Sequence, residues 1–565
     1  MKKTLLLFFL LPFFGFAQGL SGDIVISSEK ATEFQSLSNA LKKLEEVGFA
    51  GPVTFLLDQD QTATSQYIIK EYKNSSKANT LTIKPNTGRD IKITINKPNS
   101  YTSIPAVFLF NGASNIIIDG SNSIANTKNL TLINNDDLNS VRRSIIWIAS
   151  NGAKGSTNIT VKNSNLRFTT RNQLLTLLTG VYSGDNQYGS NNSIGENTNT
   201  ASNSDIFITN NEMFNVKDGI NINGNSNNTL SPTGWKIQGN KIGNTTGVES
   251  EKPVRGIYIS NALNYEITGN KIFEVRNTLN QGNDCAAIIT LGSSYGTISG
   301  NTIDDIANAY HNNGYLSAGI LVKSSGVTNI FNNIISKVYN TTPNSETGNF
   351  HNRGHNIFIT SGSRTNIYYN TIIGSGAPSG TTRASCLYIT GGSNINVRNN
   401  IFTNTQSGIQ YAVFNNGGAL GTVSHNNYYV TNSSGGFSNR IGGQNGKEYI
   451  GTGDTGVIAW NTATSDSNST IINPSFSSNF RLIDDATNKN LQGLAISEVT
   501  NDIDNNARLK PYMGAHELAP CVPEGDQNTF GLNVWNGYVY KLTTNDMPPN
   551  ISYPALPNTS IATYI

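Results

Sequence analysis

The chain has 565 residues, a formal net charge of +2, and only 13 % charged residues. It contains no basic stripe and no block of Lys and Arg, so nothing in it indicates a nucleic-acid partner. Gly and Asn fill many of the polar positions, and Ile and Val occur in short runs. This composition favours short strands over helices.

The first 17 residues have the pattern of a secretory signal peptide. Lys2 and Lys3 form the basic start, an apolar run follows, and Gly15 and Ala17 are small residues placed for cleavage after residue 17. A membrane anchor is the alternative, but an apolar run interrupted by Pro12 is too short to span a bilayer. We therefore predict export, a secreted or surface location, and no membrane span once the signal is removed.

Residues 18–113 are predicted to form an N-terminal cap and irregular first coils. The segment Phe34–Phe49 places Leu37, Leu41 and Leu44 on one face of a helix, as a capping helix requires. Short apolar stretches follow this helix before a regular repeat begins at residue 114.

From residue 114 to residue 478 the chain repeats one pattern of short strands, a Gly turn, an Asn turn and a variable loop. Ser121 and Ser164 occupy the Asn position in two early copies, which makes ten coils. A repeat of this length made only of strands is typical of a parallel β-helix. The repeated residues are Asn211, Asn240, Asn270, Asn301, Asn333, Asn370, Asn400 and Asn426.

Stacked coils explain why this Asn recurs. Stacking places the Ile residues of each coil in the interior and the Asn side chains above one another. Asn tolerates left-handed backbone, and its amide can hydrogen-bond along the column. We therefore predict that the repeated Asn is structural and not catalytic.

The three cysteines predict neither a disulfide framework nor a metal site. Cys285, Cys386 and Cys521 are an odd and sparse set. The first two lie in apolar strands, where a thiol acts as a small buried apolar group.

Residues 479–518 break the repeat and are predicted to close the solenoid. Their stretch NDIDNNARLKPYMGAHE resembles the terminating motif of secreted β-helix proteins. The residues that carry this resemblance are Asp502, Asp504, Arg508, Gly514 and Glu517.

Residues from about Ser28 to Leu518 resemble the right-handed parallel β-helix proteins of the pectin-lyase-like superfamily, Bacteroidota type. The lead-in SLSNALKKLEEVGFAGPVTFLL and the signal ending FAQ support the resemblance. It implies an all-β solenoid but no single activity, because the superfamily includes lyases, polygalacturonases, epimerases and non-catalytic surface proteins. Residues 519–565 resemble the start of a separate small β module, which we expect to be incomplete.

The long variable segments all follow the same strand of the repeat. Loops that leave one corner of successive coils would form a wall beside a flat sheet, and hence a groove for an extended polysaccharide or cell-surface glycan. The alternative is that these loops merely tolerate insertions. The segments are Arg171–Thr200, Thr245–Pro253, Asn277–Asp284, Ala307–Ser317, Asn340–Gly354 and Ser375–Thr382.

The candidate catalytic residues are His351, Arg353 and His355, in one loop of this groove. A His base beside an Arg that neutralises a carboxylate is the arrangement needed for β-elimination from a uronate. Scattered surface His is the alternative interpretation.

Four residues of the neighbouring loops are candidate substrate-binding residues. Tyr faces stack on sugar rings, and Arg or His can pair with carboxylate or sulfate groups. These residues are Tyr310, His311, Tyr315 and Arg383.

No metal site is predicted, and calcium is the one cofactor that the sequence leaves open. The pairs Asp136–Asp137 and Glu249–Glu251 offer oxygen ligands, but in no loop pattern specific for calcium. The segments around Asp284 and His355 resemble those of polygalacturonases, although Asn283 and Asn356 replace residues of that pattern. An inverting hydrolase needs two matched carboxylates, and the sequence does not supply them.

Two hypotheses for the function follow. The first is a surface β-helix that binds extended glycans, as a scaffold or adhesin-like protein, and the second is a polysaccharide lyase or glycoside hydrolase that acts on an acidic polysaccharide. Acidic and basic side chains within hydrogen-bond distance in the groove would favour the enzyme. A groove lined by Asn, Ser and Thr would favour the scaffold. We expect a monomer in either case.

Overall fold

The computed structural model describes residues 19–97, 104–136, 141–169, 178–188, 200–227, 229–244, 247–278, 284–308, 316–340, 354–376, 383–406, 409–431, 440–450 and 454–518. The predicted signal peptide and the predicted C-terminal module lie outside these residues. No helix in the described ranges is long and apolar enough to cross a membrane.

Three long sheets, named A, B and C here, contain the strands of the solenoid. Each coil adds one strand to sheet C, then one to sheet A and one to sheet B, and neighbouring coils pair in parallel. The fold is therefore a right-handed parallel β-helix, as the repeat predicts. One antiparallel strand pair occurs among the described residues, between Arg440–Gln444 and Lys447–Ile450.

The strand bounds follow the order of the coils. Sheet A contains Leu20–Ile26, Phe49–Leu57, Leu81–Pro85, Ser114–Asp119, Thr157–Lys162, Ser204–Thr209, Lys236–Gln238, Leu263–Thr268, Tyr295–Ser299, Val327–Phe331, Arg364–Tyr368, Ile395–Arg398 and Leu420–Ser424. Sheet B contains Gln61–Ala63, Ile91–Asn96, Leu130–Asn135, Ser164–Phe168, Glu212–Phe214, Lys241–Ile242, Lys271–Asn277, Thr302–Asn308, Ile334–Asn340, Thr371–Gly374, Ile401–Asn404 and Asn427–Val430. Sheet C contains Tyr67–Ile69, Phe108–Asn111, Arg143–Ser150, Leu178–Asp185, Asp218–Asn223, Arg255–Ser260, Cys285–Gly292, Ser317–Ser324, Gly354–Ile359, Arg383–Ile389, Ile409–Asn415, Arg440–Gln444 and Lys447–Ile450. Single 3-10 turns are Thr32–Phe34, Glu249–Glu251 and Asn488–Asn490.

Apolar side chains from all three sheets fill the interior. In sheet A the register aligns Ile237, Ile267, Ile298, Ile330 and Ile367 in one fully buried row. Neighbouring strands are about 4.8 Å apart, so the row is a continuous apolar column. Each buried Ile contributes about 1.5–3 kcal/mol to stability. These are the Ile residues that precede the repeated Asn by three positions.

The repeated Asn side chains form a buried ladder at the turn from sheet A to sheet B. Oδ1 of Asn301 accepts from the backbone N–H of Asn270 at 2.9 Å and from its Nδ2 at 3.0 Å. Nδ2 of Asn301 donates to Oδ1 of Asn333 at 2.9 Å and to the carbonyl of Ile267 at 2.9 Å. The same contacts recur in the coils from 211 to 426. The structural interpretation of this Asn is confirmed.

The left-handed backbone lies one residue before the ladder, which corrects one detail of the prediction. Positive φ occurs at Gly269 (64°), Gly300 (64°) and Asn332 (55°), and the ladder Asn residues themselves do not adopt it. Gly and Asn adopt this conformation at low cost. The ladder position therefore requires Asn for its amide and not for its backbone freedom.

Helix α1, Leu37–Val47, covers the N-terminal end of the core. It buries Leu37, Leu41 and Leu44, and the side chain of its N-cap residue Ser36 accepts the N–H of Asn39. The predicted capping face is the one that the helix buries. Strands of residues 20–111 already pair in the same three sheets as the later coils.

Helix α2, Asp454–Thr464, lies at the C-terminal end of the solenoid. Its Trp460 is buried, and the ring packs edge-on against Tyr428 and Tyr449, with centroids 6.1 and 5.7 Å away. A Cβ atom at Gly442 would lie 2.3 Å from this ring. Gly442 therefore allows α2 to seat Trp460 against the last coil.

Residues 466–518, which we call the flank segment, run along the side of the solenoid. Asn332 Nδ2 donates to the Asn501 carbonyl at 2.7 Å, and the Leu494 N–H donates to Oδ1 of Asn399 at 2.9 Å. Leu482, Leu491 and Met513 pack on Ile401, outside sheet B. The sequence predicts that residues 479–518 close the C-terminal end of the solenoid. In the structure these residues lie beside several coils.

A buried Arg–Glu pair lies within the flank segment. Arg508 donates to Glu517, and its Nη2 donates to Oδ1 of Asn332 at 2.8 Å. The guanidinium lies 3.9 Å from the ring centroid of Tyr369. Burial raises the pKa of Glu517 to about 7 and lowers the pKa of Arg508, in both cases against the attraction of the partner.

Candidate functional site

The variable loops leave the solenoid mainly at the corner between sheets B and C. For example, residues 278–284 join the sheet B strand Lys271–Asn277 to the sheet C strand Cys285–Gly292. One predicted loop is wrong in extent, because residues 171–200 contain the strand Leu178–Asp185 and so form two loops at two corners. The outer face of sheet C is the face beside this row of loops.

Aromatic and apolar side chains line this outer face, in what we call the outer row of sheet C. Alternate residues of the same strands belong to the interior core, whereas most of the outer row belongs to two separate apolar clusters. Eight strand spacings make the row about 38 Å long. The register aligns Trp147, Tyr182, Asn221, Tyr258, Ile289, Leu321, Phe358, Tyr388 and Phe414.

An ion pair between neighbouring strands lies in the middle of this face. Arg255 donates through Nε to Oδ1 of Asp218 at 2.7 Å and through Nη2 to Oδ2 at 2.6 Å. Asp218 is fully buried, and Nδ2 of Asn221 also donates to it, at 3.3 Å. The guanidinium of Arg255 lies 4.9 Å from the ring centroid of Tyr258. Arg255 is thus held by a carboxylate on one side and by an aromatic face on another.

This pair remains charged despite its burial. Burial favours the neutral acid, but Arg255, with Lys217 and Arg142 nearby, lowers the pKa of Asp218 below its ordinary value. Burial also favours a neutral Arg255, but the charge and hydrogen bonds of Asp218 raise its pKa above the ordinary value. Arg255 therefore stays protonated and is unsuited to act as a general base.

A second ion pair lies on the same face. Nζ of Lys323 donates to Oδ2 of Asp284, and the two side chains are 36 % and 19 % exposed. Asp284 is near enough to Arg255 to contribute to its raised pKa. In the next two strands of sheet C, the residues in register with Arg255 are small: Ala286 and then Ala318. Because Asp284 belongs to one ion pair and also acts on the Arg of the other, we call the two ion pairs together the charged centre.

His355 lies at the aromatic end of the same face. It is fully buried, and its Nδ1 is 2.9 Å from Oγ of Ser385. Its ring stacks on Tyr388 with centroids 4.5 Å apart and meets Phe358 edge-on at 5.5 Å. In these contacts His355 belongs to an aromatic cluster on the outer face of sheet C.

His355 is the one predicted site residue whose side chain the structure describes. Arg383 is described as the first residue of the strand Arg383–Ile389, with no account of its side chain. Outside the described residues lie His351, Arg353, Tyr310, His311 and Tyr315. The proximity of these predicted residues to one another therefore stays a prediction.

The carboxylates predicted as calcium ligands have protein partners where they are described. Asp136 is buried and pairs with Arg143 at 2.8 Å, and Asp137 lies outside the described residues. Glu249 pairs with Lys252 at 2.6 Å, and Glu251 accepts a hydrogen bond from a nearby Asn amide at 3.2 Å. Neither pair gathers several free oxygen atoms around one point.

One group of metal-ligand atoms occurs among the described residues, in the flank segment. Asp502, Asp504 and His516 bring ligand atoms within 4.8 Å of one another. Both oxygens of Asp504 accept from Arg481, at 2.6 and 2.7 Å. Asp502 Oδ1 accepts the N–H of Asp504 at 2.9 Å and the N–H of Asn506 at 2.7 Å. These contacts account for the two carboxylates as parts of a turn.

Sequence reasoning missed the charged centre. Asp218, Arg255 and Lys323 lie in three different coils, and only the register of sheet C brings their side chains to one face. The available signal was a departure from the repeat, since DGININ, RGIYIS and AGILVKSSG carry charged residues in otherwise apolar or neutral strands. A residue list taken from loops alone overlooks such positions.

Comparison with known proteins gives only distant resemblances. No protein-family model and no curated protein matches the chain. A crystal structure of PfbA, a surface adhesin of Streptococcus pneumoniae, is 13 % identical and covers 80 % of this chain and 100 % of that chain, with a TM-score of 0.35. A structure of AlyGC, a PL6-family alginate lyase, is 9 % identical and covers 88 % of this chain and 60 % of that chain, with a TM-score of 0.32. Neither resemblance carries an argument about function.

Proposed function

We propose that the protein binds an extended anionic polysaccharide on the outer face of sheet C, at the charged centre, where Arg255, Tyr258 and Lys323 are partly exposed. The charged centre is the observation that carries the proposal. Arg255 and Lys323 place two basic groups beside two carboxylates on this face, and the charges of Lys217 and Arg142 also act on Asp218. The cations are Arg142, Lys217, Arg255 and Lys323, and the carboxylates are Asp218 and Asp284.

The shape of the face supports the same proposal. Consecutive coils repeat at about 4.8 Å, so the outer face of sheet C is long and regular on both sides of the charged centre. Tyr258 is half-buried beside Arg255, and an aromatic face of this kind packs on a sugar ring. The row of loops at the corner between sheets B and C would flank the polymer on one side.

We also propose that the protein is secreted or held at the cell surface. The support is the pattern of residues 1–17, with its basic start, apolar run and small residues before the cleavage position. An extended polysaccharide outside the cell is the partner that such a location would provide.

The experiment is a retention screen with the full chain. Affinity electrophoresis in gels containing polygalacturonate, alginate, a sulfated glycan or a neutral glycan measures binding without any assumption about catalysis. We expect retardation in one or more acidic glycans, weakening as salt is raised, because salt screens partly exposed charges. Retardation in neutral glycans alone, or in none, would contradict the proposal.

A polysaccharide lyase is the second candidate. It is favoured by one observation, the acidic and basic side chains within hydrogen-bond distance in the charged centre. Lys323, the more exposed of the two cations, would be the candidate base there. The measurement is unsaturated-uronate absorbance for the wild type and Lys323→Ala. Product that Lys323→Ala abolishes supports the lyase, whereas retention without product supports binding alone.

A further inference from the structure

We propose that Arg255 presents a two-donor fork to a carboxylate group of the bound glycan, and that Asp218 is the positioning residue that fixes the plane of this fork. The inference rests on the proposed function and specifies the chemical group that the charged centre recognises. That group is the carboxylate of a uronic acid residue.

Arg255 has more N–H donors than its contact with Asp218 uses. A guanidinium has five N–H donors in one plane. The Nε–H and one Nη2–H of Arg255 are directed at the two oxygens of Asp218. The opposite edge, made of Nη1 and the second Nη2–H, has no acceptor among the described residues. This edge is a second pair of parallel donors.

The surroundings of Arg255 fix the direction of that edge. Asp218 is fully buried in a sheet C strand and is itself held by Asn221. Because two hydrogen bonds join Arg255 to Asp218 and the ring of Tyr258 lies 4.9 Å from the guanidinium carbon, the plane has little freedom to turn. A donor pair fixed before binding loses less entropy when the ligand arrives.

The fork selects a planar anion with two equivalent oxygens. Parallel N–H donors match a carboxylate in bidentate geometry, which a Lys ammonium cannot reproduce. The side chain of Arg255 is 14 % exposed, so only a small part of it is accessible to a ligand. Lys323, 36 % exposed, supplies a second cation, whose ammonium group does not require a planar anion. A sulfate could satisfy the charge alone, and the experiment separates the two groups.

The test measures affinity by calorimetry for three polymers: polygalacturonate, the same polymer with its carboxyl groups reduced to alcohols, and a sulfated glycan. We expect the wild type to bind polygalacturonate at least about tenfold more tightly than either of the others. Arg255→Lys keeps the charge and removes the fork, so the preference for polygalacturonate over the carboxyl-reduced polymer should fall about tenfold. Asp218→Asn should lower the same preference, because Arg255 loses its anchor.

The matched control is Arg398→Lys. Arg398 also lies over a Tyr ring, 5.9 Å from the centroid of Tyr368, but it lies on sheet A. It should leave the preference unchanged. The ratio between two polymers is not altered by a fraction of unfolded protein, so a loss of stability in Arg255→Lys cannot imitate the expected result.

Two outcomes overturn the inference in different ways. Recognition of a carboxylate by two donors of Arg255 is wrong if Arg255→Lys keeps the wild-type preference for polygalacturonate. It is also wrong if the wild type binds the sulfated glycan as tightly as polygalacturonate. Polysaccharide binding stands in both cases. If the wild type binds none of the three polymers, the proposed function fails, and the inference fails with it.

Discussion

The Asn ladder and the outer row of sheet C are both built from one residue per coil, yet they differ in what each residue contributes. In the ladder the same side chain recurs from Asn211 to Asn426, and each amide is hydrogen-bonded to the next. In the outer row the residue at each coil varies among aromatic, aliphatic and amide types, and two ion pairs lie on the same face.

The two rows differ in how strongly each position constrains the residue that can occupy it. A repeated, buried and fully paired polar residue gains nothing from variation, because any other side chain leaves neighbouring groups without a partner. The outer row of sheet C has no ladder of this kind, so its residue types vary from coil to coil. The proposed site accordingly lies among the departures from the repeat.

The largest effect is expected from breaking the ladder. Asn301→Ala removes the acceptor of Asn270 and the donor to Ile267 and Asn333. Several buried polar groups lose their partners, so we expect a loss of about 3–5 kcal/mol in the free energy of unfolding. Chemical denaturation followed by circular dichroism measures it.

A matched Asn on the outside of sheet A provides the control. Asn366 donates to Asn329 at 2.8 Å and accepts from Asn396 at 3.0 Å, but it is half-buried, so water can replace these contacts. Asn366→Ala should cost less than about 1 kcal/mol. Equal losses for the two variants would show that burial of the ladder is not what matters.

An intermediate effect is expected where the flank segment covers the turns beside the ladder. The pKa of Glu517 is raised to about 7 by burial, from an ordinary 4.5. Protonated Glu517 therefore contributes fully to the stability of the folded segment below about pH 4.5. This contribution is lost as pH rises through about 7. We expect the flank segment to lose on the order of 1–3 kcal/mol over this range.

Amide hydrogen exchange of residues 479–518, corrected for the intrinsic pH dependence of exchange, measures this loss. Glu517→Gln, which has no charge at any pH, should remove most of the pH dependence. A wild-type segment whose protection is unchanged between pH 5 and pH 8 would disprove the role assigned to Glu517.

The smallest effect on stability is expected at the charged centre. Lys323 is 36 % exposed and pairs with Asp284, and a pair of this kind is worth about 0–1 kcal/mol. Lys323→Ala should thus leave the unfolding midpoint almost unchanged while weakening polygalacturonate binding several-fold. Lys337→Ala on sheet B, where Lys337 is 48 % exposed and lies 3.5 Å from Asp304, is the control for both quantities. Equal binding by the two variants would count against the charged centre.

The repeat made most of the fold predictable. The spacing of Ile and Asn indicates three stacked sheets, an interior Ile column and the ladder, because each follows from a local pattern repeated many times. Leu37, Leu41 and Leu44 indicate the capping helix for the same reason. The course of the flank segment was not predictable, since its contacts with Asn332 and Asn399 join residues about 100 or more positions apart.

The sequence indicates the corner of the solenoid at which the loops leave, but not the charged centre. Loops of variable length mark the corner between sheets B and C, and the glycan-binding face beside it stays a proposal. The pairing of Asp218 with Arg255 depends on the register of two strands whose loop lengths differ from those of other coils. His355 illustrates the same limit, because its sequence neighbours suggest a loop residue, whereas the register places it in a buried aromatic cluster.

The central claim is that the outer face of sheet C binds an acidic glycan at the charged centre. Affinity electrophoresis of two Tyr variants in polygalacturonate tests it most directly. Tyr258 lies on the outer row of sheet C, and Tyr295, 39 % exposed, lies on sheet A. The account predicts that Tyr258→Ser loses most of its retardation, whereas Tyr295→Ser migrates as the wild type does. Equal retardation of Tyr258→Ser and the wild type, or a loss confined to Tyr295→Ser, would contradict it.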